Sequence, residues 1–335
     1  MPLHYEEAVG FVFSWLDIEF QTASEEDGPL RRWRIPGLVD RIEVDDPKEI
    51  SEIVENPSID REFYTPTSLI NWFLLKRTLI ALSVDGKRFP TLTPRASSED
   101  ARERDALWKE LEAKIPSIRK GPVELEALAQ WVRNSDSDAV AGILVQQLLG
   151  SLFSEQFVAT EESWHAAQVL VKAPRLTNLP KLVWWTLSGK VHRAKRLLSG
   201  MVGGNLSGVN AIGIAVHNVV KGLERMRQLY ADEKTRWSLS GEAVANDCVF
   251  APISLYRQAI SKGAVQGCPF SRGSLFVLNI GSASSHFHDR RIAFLEDSWS
   301  RCPAAEWVPA MFEGVWKRAR SAGDAGSMGN AIAAE

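Results

Sequence analysis

The sequence predicts a mainly α fold with a small β portion, and three observations carry that expectation. Apolar residues recur at three- and four-residue spacing through most of the chain between Leu69 and Phe250, the period of a helix with one buried face. Two short runs, Val39 to Val44 and Ser274 to Ile280, have instead the composition of strands. Between them, Ser199 to Val220 holds no lysine, arginine or acid, which suits a long helix buried in a protein core.

Taken in order, the elements begin with mixed structure over residues 30–64. Val39 to Val44 reads as a half-buried strand; Asp45-Asp46-Pro47 then supplies a capping acid and a first-turn proline. A short helix over Lys48 to Glu55 follows, ended by Asn56-Pro57. Helical patterns cover Leu69–Leu82, Ser98–Ile115, Val123–Trp131, Ala139–Phe153, Glu161–Val171, Lys181–Leu198, Val209–Tyr230 and Gly241–Phe250. Pro90, Pro94, Gly121-Pro122 and Pro174 mark joints. Gly267 to Gly273 is turn-rich, Ser274 to Ile280 is a strand, and Gly281 to Arg291 is a polar stretch expected to meander. Pro303 is expected to open a last helix running to about Ala319, with Pro309 as an awkward interior residue. No fixed-period repeat and no low-complexity linker divides the chain, so one domain over 1–335 is expected.

Composition narrows the function. Of 335 residues, 45% are apolar and 24% charged, ordinary for a globular chain that buries a core. The net charge is −3 with lysine and arginine scattered, which argues against nucleic acid as a partner. The twelve tryptophans suit core packing or a wide apolar ligand pocket. Cys248, Cys268 and Cys302 form neither a CxxC pair nor an even disulfide set, as expected of reduced thiols in a cytoplasmic protein. The start, MPLHYEEAVGFVF, carries acids where an export signal carries bases. Ser199 to Val220 is long enough to span a bilayer, but Asn205, Asn210, His217 and Asn218 would be costly there; no transmembrane segment is expected. A Walker A loop, a dinucleotide glycine fingerprint and a G-x-S-x-G elbow are all absent.

The closing order of elements resembles the cytochrome P450 superfamily. Gly267 to Val277 resembles its strand pair, and Arg291-Ile-Ala-Phe294 the approach to its cysteine loop. Arg301-Cys-Pro-Ala304 resembles the cysteine with its small second follower, and Glu306 to Ala319 the last helix. Val44-Asp-Asp-Pro-Lys-Glu-Ile50 and Asp60-Arg61 match the start of the family's first sheet and helix. Residues 199–230 would be the central helix crossing the haem, and 267–320 the haem loop and last helix. There are departures. Phe294 stands eight residues before Cys302, against seven in the family; Ser298 replaces the loop glycine; Glu296 and Asp297 make the loop acidic. Where the family's E-x-x-R pair should fall, Asn246 to Val249 reads N-D-C-V.

The resemblance implies haem b, with Cys302 as the axial ligand of its iron. Thiolate at a helix start is favoured by the macrodipole, and Arg301 beside it pushes the same way; a small buried hydrophobe is the plain alternative. Arg257 would reach a haem propionate, with Arg88 and Arg95 as candidates for the second, since a guanidinium forks well onto carboxylate. His217 and Asn218 stand where oxygen-activating members carry an acid and an alcohol. Either they orient a peroxide already present in a substrate, or they are core polar residues. The implied activity is oxidation or rearrangement of a hydrophobic small molecule, fatty-acid or hydroperoxide-like, with a redox partner protein in play only if electrons are supplied from outside. A P450-shaped binding protein without catalysis and an unrelated helical protein are the alternatives. His286-Phe-His288-Asp289 could begin a metal site on a strand but lacks further ligands, so a polar meander is preferred.

Overall fold

The parallel pairing of β2 (Val39–Val44) with β9 (Leu275–Leu278) ties the two strand-like runs of the sequence together. The structure is a computed structural model describing residues 30–63, 68–95, 98–120, 123–134, 140–173, 184–185, 187–287 and 289–332. Its main sheet runs β1 (Arg31–Ile35), β2, β9, β6 (Leu255–Ala259), β3 (Ile59–Asp60), antiparallel except between β2 and β9. Two hairpins, β4–β5 (Ser83–Val84, Lys87–Arg88) and β7–β8 (Gly263–Val265, Cys268–Phe270), stand apart from it. Strand β9 is buried along its whole length. Its side chains alternate between layers as the pleat requires. Phe276 and Leu278 join Ile42, Val44, Ile50 and Ile53 on one face, while Leu275 and Val277 join Phe63 and Leu75 on the other.

Helix α1 (Pro47–Glu55) forms as its caps dictate: the Asp46 carboxylate accepts from the Lys48 and Glu49 amides, with proline in the first turn. After α2 (Leu69–Ala81) come α3 (Ser98–Lys120), α4 (Val123–Arg133), α5 (Ala141–Ser151), α6 (Glu161–Lys172) and α7 (Lys190–Met201). The central helix is α8 (Leu206–Asn210), a π turn over Ala211–Ala215, and α9 (Val216–Ala231). Val209, Ile212, Val216, Leu223 and Met226 bury it in the larger core, as the uncharged stretch predicts. Helices α10 (Glu233–Ser238) and α11 (Gly241–Asp247) lead to β6. After β9 follow α12 (Ile280–Phe287), α13 (Arg290–Phe294) and α14 (Trp307–Ile332). No helix among the described residues is long and apolar enough to cross a membrane.

Several expectations are corrected. The polar stretch after β9 is helical: Ile280 and Ala283 are buried, and the Asp289 carboxylate caps α13 through the Arg291 amide. With His286 on a helix, His286 and position 288 share no strand face; position 288 itself lies outside the described residues. No group of three or more metal-ligating side chains occurs among the described residues. The helix expected from Lys181 is interrupted at Gly189, whose φ of 62° is left-handed and precedes α7. The last helix begins at Trp307 and extends past Ala319. Pro309 therefore falls in its first turn, where a missing N–H costs nothing. Residue 139 and the joints at Gly121-Pro122 and Pro174 lie outside the described residues.

Candidate active site

The loop between α13 and α14 is where the two cores meet. Phe294 packs against both of them. Leu295, at φ 50°, ends α13, and the chain returns so that the Cys302 amide donates to the Phe294 carbonyl at 2.8 Å. Ser298 and Ser300 stiffen the turn: the Ser298 hydroxyl donates to Leu295 O at 2.9 Å and accepts from the Ser300 amide at 3.2 Å. Trp299 is pinned against the end of α1, its indole N–H donating to the Val54 carbonyl at 2.9 Å.

Cys302 is half-buried. A turn over Pro303–Glu306 separates it from α14, so it does not open that helix, and the macrodipole is a weaker influence than the sequence suggests. Burial pushes its thiol pKa up, while the Ala304 backbone N–H, donating to the sulfur, pulls it down. Left alone, such a group is a thiol; a metal that displaces the proton would receive a thiolate already carrying one amide donor.

Arginines crowd the other side of this loop. Arg257, on β6, is 2% exposed and donates to the Ser300 hydroxyl at 3.1 Å. Arg61, directly after β3, is also buried; its guanidinium lies 4.7 Å from the Trp299 ring centroid, and that of Arg104 on α3 lies 5.4 Å from it. Asp60 accepts from the amides of Arg61 (2.6 Å) and Arg95 (2.9 Å). Burial, with Arg104 adding to it against the pull of Asp60, lowers the Arg257 pKa to about 10. Burial, followed by Arg257 and Arg104, drives that of Arg61 well below its usual value. Guanidinium stays protonated regardless, so burial gathers the positive charges of Arg61, Arg104 and Arg257 beside this loop. An anion placed here would be held strongly.

Arg88 and Arg95 have other employment. Arg88 braces the chain through the carbonyls of Arg61 (2.9 Å) and Glu62 (3.0 Å). Arg95 reaches the Glu55 carbonyl at 3.1 Å, with its guanidinium 5.8 Å from Trp299. Arg301 turns away from the sulfur toward α3, 3.6 Å from Asp105 and 4.3 Å over the Trp108 ring. Its side chain clamps the loop onto α3.

Besides His217, the central helix keeps Ala211, Ile214, Ala215 and Asn218 partly exposed, with Ile212, Gly213 and Val216 buried among them. Those four recur at helical spacing with Gly222, whose absent Cβ makes room for the Cys248 carbonyl and Phe312 of α14. Asn218 thus lies on the α14 side. His217 lies elsewhere, its ring 4.8 Å from that of Trp164 on α6. The π turn before both is clamped by Gln146, fully buried on α5. Its amide donates to Ile212 O at 2.8 Å and Ser163 O at 3.1 Å, while its carbonyl accepts from the Ser163 hydroxyl at 2.8 Å.

The overall fold is shared with solved structures. CYP154C4 from Streptomyces sp. W2061 superimposes with a TM-score of 0.54 at 12% identity, over 90% of this chain and 88% of that one. The fold is that of the cytochromes P450. P450BioI, solved with a hexadec-9Z-enoic acid-ligated acyl carrier protein, gives 0.55 at 15% identity, over 93% of this chain and 91% of that one. An OleT variant in complex with arachidonic acid gives 0.56 at 13% identity, over 86% and 82%. No family model matches the sequence, and no curated protein matches it either. The run Asn246 to Val249, where the resemblance leads one to expect an E-x-x-R pair, lies at the end of α11, and there Asp247 pairs with Arg225 of the central helix at 2.8 Å. Arg61, Arg104, Trp299 and the Gln146–Ser163 pair went unassigned by sequence reasoning. Asp60-Arg61 gave a trace of the first, whereas Arg104 is hidden in the charged run Glu99 to Asp105.

Proposed function

We propose that this chain is a haem-thiolate enzyme of the P450 type that oxidises or rearranges a hydrophobic small molecule, fatty-acid or hydroperoxide-like. The observation that carries this reading is a cysteine loop, its sulfur supported by one amide donor, packed against a cluster of buried arginines. The residues fit haem b: Cys302 would hold its iron, and Arg257, with Arg61 and Arg104, would hold its propionates. Bound thiolate-ligated haem supplies activation of an O–O bond. The protein's own part is to keep one amide donor on the sulfur and to fix the loop through Ser298, Ser300 and Arg301. It also offers a face of small residues, Ala211 and Ala215, beside which apolar substrate can lie. Asn218 is the polar group on that face, suited to orienting a substrate oxygen. With no acid or alcohol there to relay protons, peroxide-borne substrates are favoured over dioxygen fed by a redox partner. The fatty-acid preference draws on the ligands of the OleT and P450BioI structures.

The test is turnover of a fatty-acid hydroperoxide, or of a fatty acid with hydrogen peroxide, compared with a reductase-supported reaction. Activity with peroxide alone supports the reading; activity only with a reductase removes its peroxide element. Arg257→Gln is expected to weaken haem retention about tenfold, the loss of a charge-assisted bond of roughly 1.5 kcal/mol. Equilibrium haem titration of both forms measures this. A P450-shaped binding protein is the second reading, favoured by Trp299, whose ring already faces Arg61, Arg95 and Arg104. Unchanged absence of haem after expression with excess haem would select it.

A further inference from the structure

Six of the chain's large, strongly exposed apolar side chains fall in two short segments: Leu69, Trp72, Phe73 and Ile80 on α2, and Trp184 and Leu187 just before α7. On α2 the four recur with Lys76 at helical spacing, so they form one outward stripe. Trp184 and Leu187 are 67% and 79% exposed. Hydrogen bonds hold α2 beside α7 and the end of α6. Arg77 of α2 donates to the carbonyl of Ala173, just after α6, at 3.0 Å, and Lys195 of α7 donates to Ile80 O at 2.7 Å. The charges around them have one sign. Lys76, Lys190, Arg193 and Arg196 are exposed, and neither α2 nor α7 contains an acid; Asp85 in the β4–β5 turn is the nearby exception. Lys76 stands 5.6 Å from the Trp72 ring and Arg77 5.2 Å from that of Phe73.

Soluble surfaces rarely gather exposed tryptophan, phenylalanine and leucine in one place. Aromatic and aliphatic side chains rimmed by lysine and arginine match the chemistry of an interfacial membrane contact, with bases at anionic headgroups and rings at the acyl boundary. An acidic protein would satisfy the bases but leave the stripe in water at its edges; a second copy would bring the bases against each other. We infer that the α2–α7 face docks this protein peripherally on an anionic lipid surface. The inference stands on surface residues and does not depend on haem.

The experiment is co-sedimentation of the full chain with vesicles of phosphatidylcholine alone and of phosphatidylcholine mixed with phosphatidylglycerol. Binding is expected to the mixed vesicles, decreasing as salt is raised. Lys190→Glu with Arg193→Glu should weaken it by roughly fivefold per base removed. Trp72→Ser with Trp184→Ser should weaken it at least about tenfold. Both pairs are exposed, and unchanged far-ultraviolet circular dichroism confirms that each variant is folded. No binding to anionic vesicles, or binding indifferent to both variants, overturns the inference. So does a concentration-dependent dimer that the tryptophan variant dissolves while vesicles bind nothing, since that assigns the face to a second copy.

Discussion

Cys302→Ser is expected to abolish the strongly red-shifted Soret band of the reduced, carbon monoxide-bound protein and to leave peroxide-driven turnover at background. A serine hydroxyl is close in size, so the Cys302 N–H to Phe294 O closure at 2.8 Å and the Ser298–Ser300 turn should survive the change. What is lost is the group that an incoming metal can deprotonate. The cysteine thiol is raised by burial and pulled down by Ala304 N–H, so metal binding must expel a proton and becomes tighter as pH rises. Serine cannot follow: its hydroxyl does not ionise in an accessible range. Haem affinity of the parent should therefore climb with pH below the raised thiol pKa, whereas any residual affinity of the variant should be flat there. Absorption titrations at several pH values measure both. An unchanged spectrum in the variant would remove Cys302 from the site and with it the haem-thiolate reading. Arg257→Gln separates the two halves of the site, since it should weaken retention while leaving the band position in place.

What was legible in the sequence follows from the range of the forces involved. Asp46-Pro47 set the start of α1, and alternation set β2, because a cap and a pleat are decided by residues within a turn of each other. The central helix was legible because a stretch without charge has few other places to go. Less was visible in the closing segment. The serines after β9 carry no apolar stripe, yet two buried positions, Ile280 and Ala283, suffice to pin a helix there. Of the site, Cys302 and Arg257 could be singled out from the order of elements around them. Arg104 could not, since in the run Glu103-Arg104-Asp105 only packing decides which charge turns inward. Nor could sequence tell that His217 would turn to Trp164 while Asn218 faced α14, because the π turn before them shifts every later side chain around the helix.

That π turn makes Gln146 the position outside the cysteine loop with the largest expected effect. Gln146→Leu should cost about 2–4 kcal/mol of unfolding free energy, from two lost donor bonds and the polar atoms left buried without them. The turn leaves Ile212 O facing α5 and Ser163 O facing the same amide, and both gaps are filled by one side chain. Leucine fills the volume but offers nothing to either carbonyl, while the Ser163 hydroxyl loses one of its two acceptors and keeps the Thr160 carbonyl. Gln146→Glu discriminates between packing and hydrogen bonding. Its shape is conserved, but as a carboxylate it would keep one oxygen on the Ser163 hydroxyl and turn the other, an acceptor, toward two carbonyls. Only when protonated can it donate one bond, so its folded pKa must be raised above the unfolded value. A raised carboxyl pKa means that the folded state binds the proton more tightly, so the variant should be most stable in acid and lose that stability as pH rises. Urea unfolding at mildly acid and at neutral pH reads this directly. If Glu and Leu variants lose equal stability at both pH values, the side chain only packs. If the Glu variant recovers in acid, the hydrogen bond to the π turn holds the central helix in register, and with it the face that Asn218 presents toward α14.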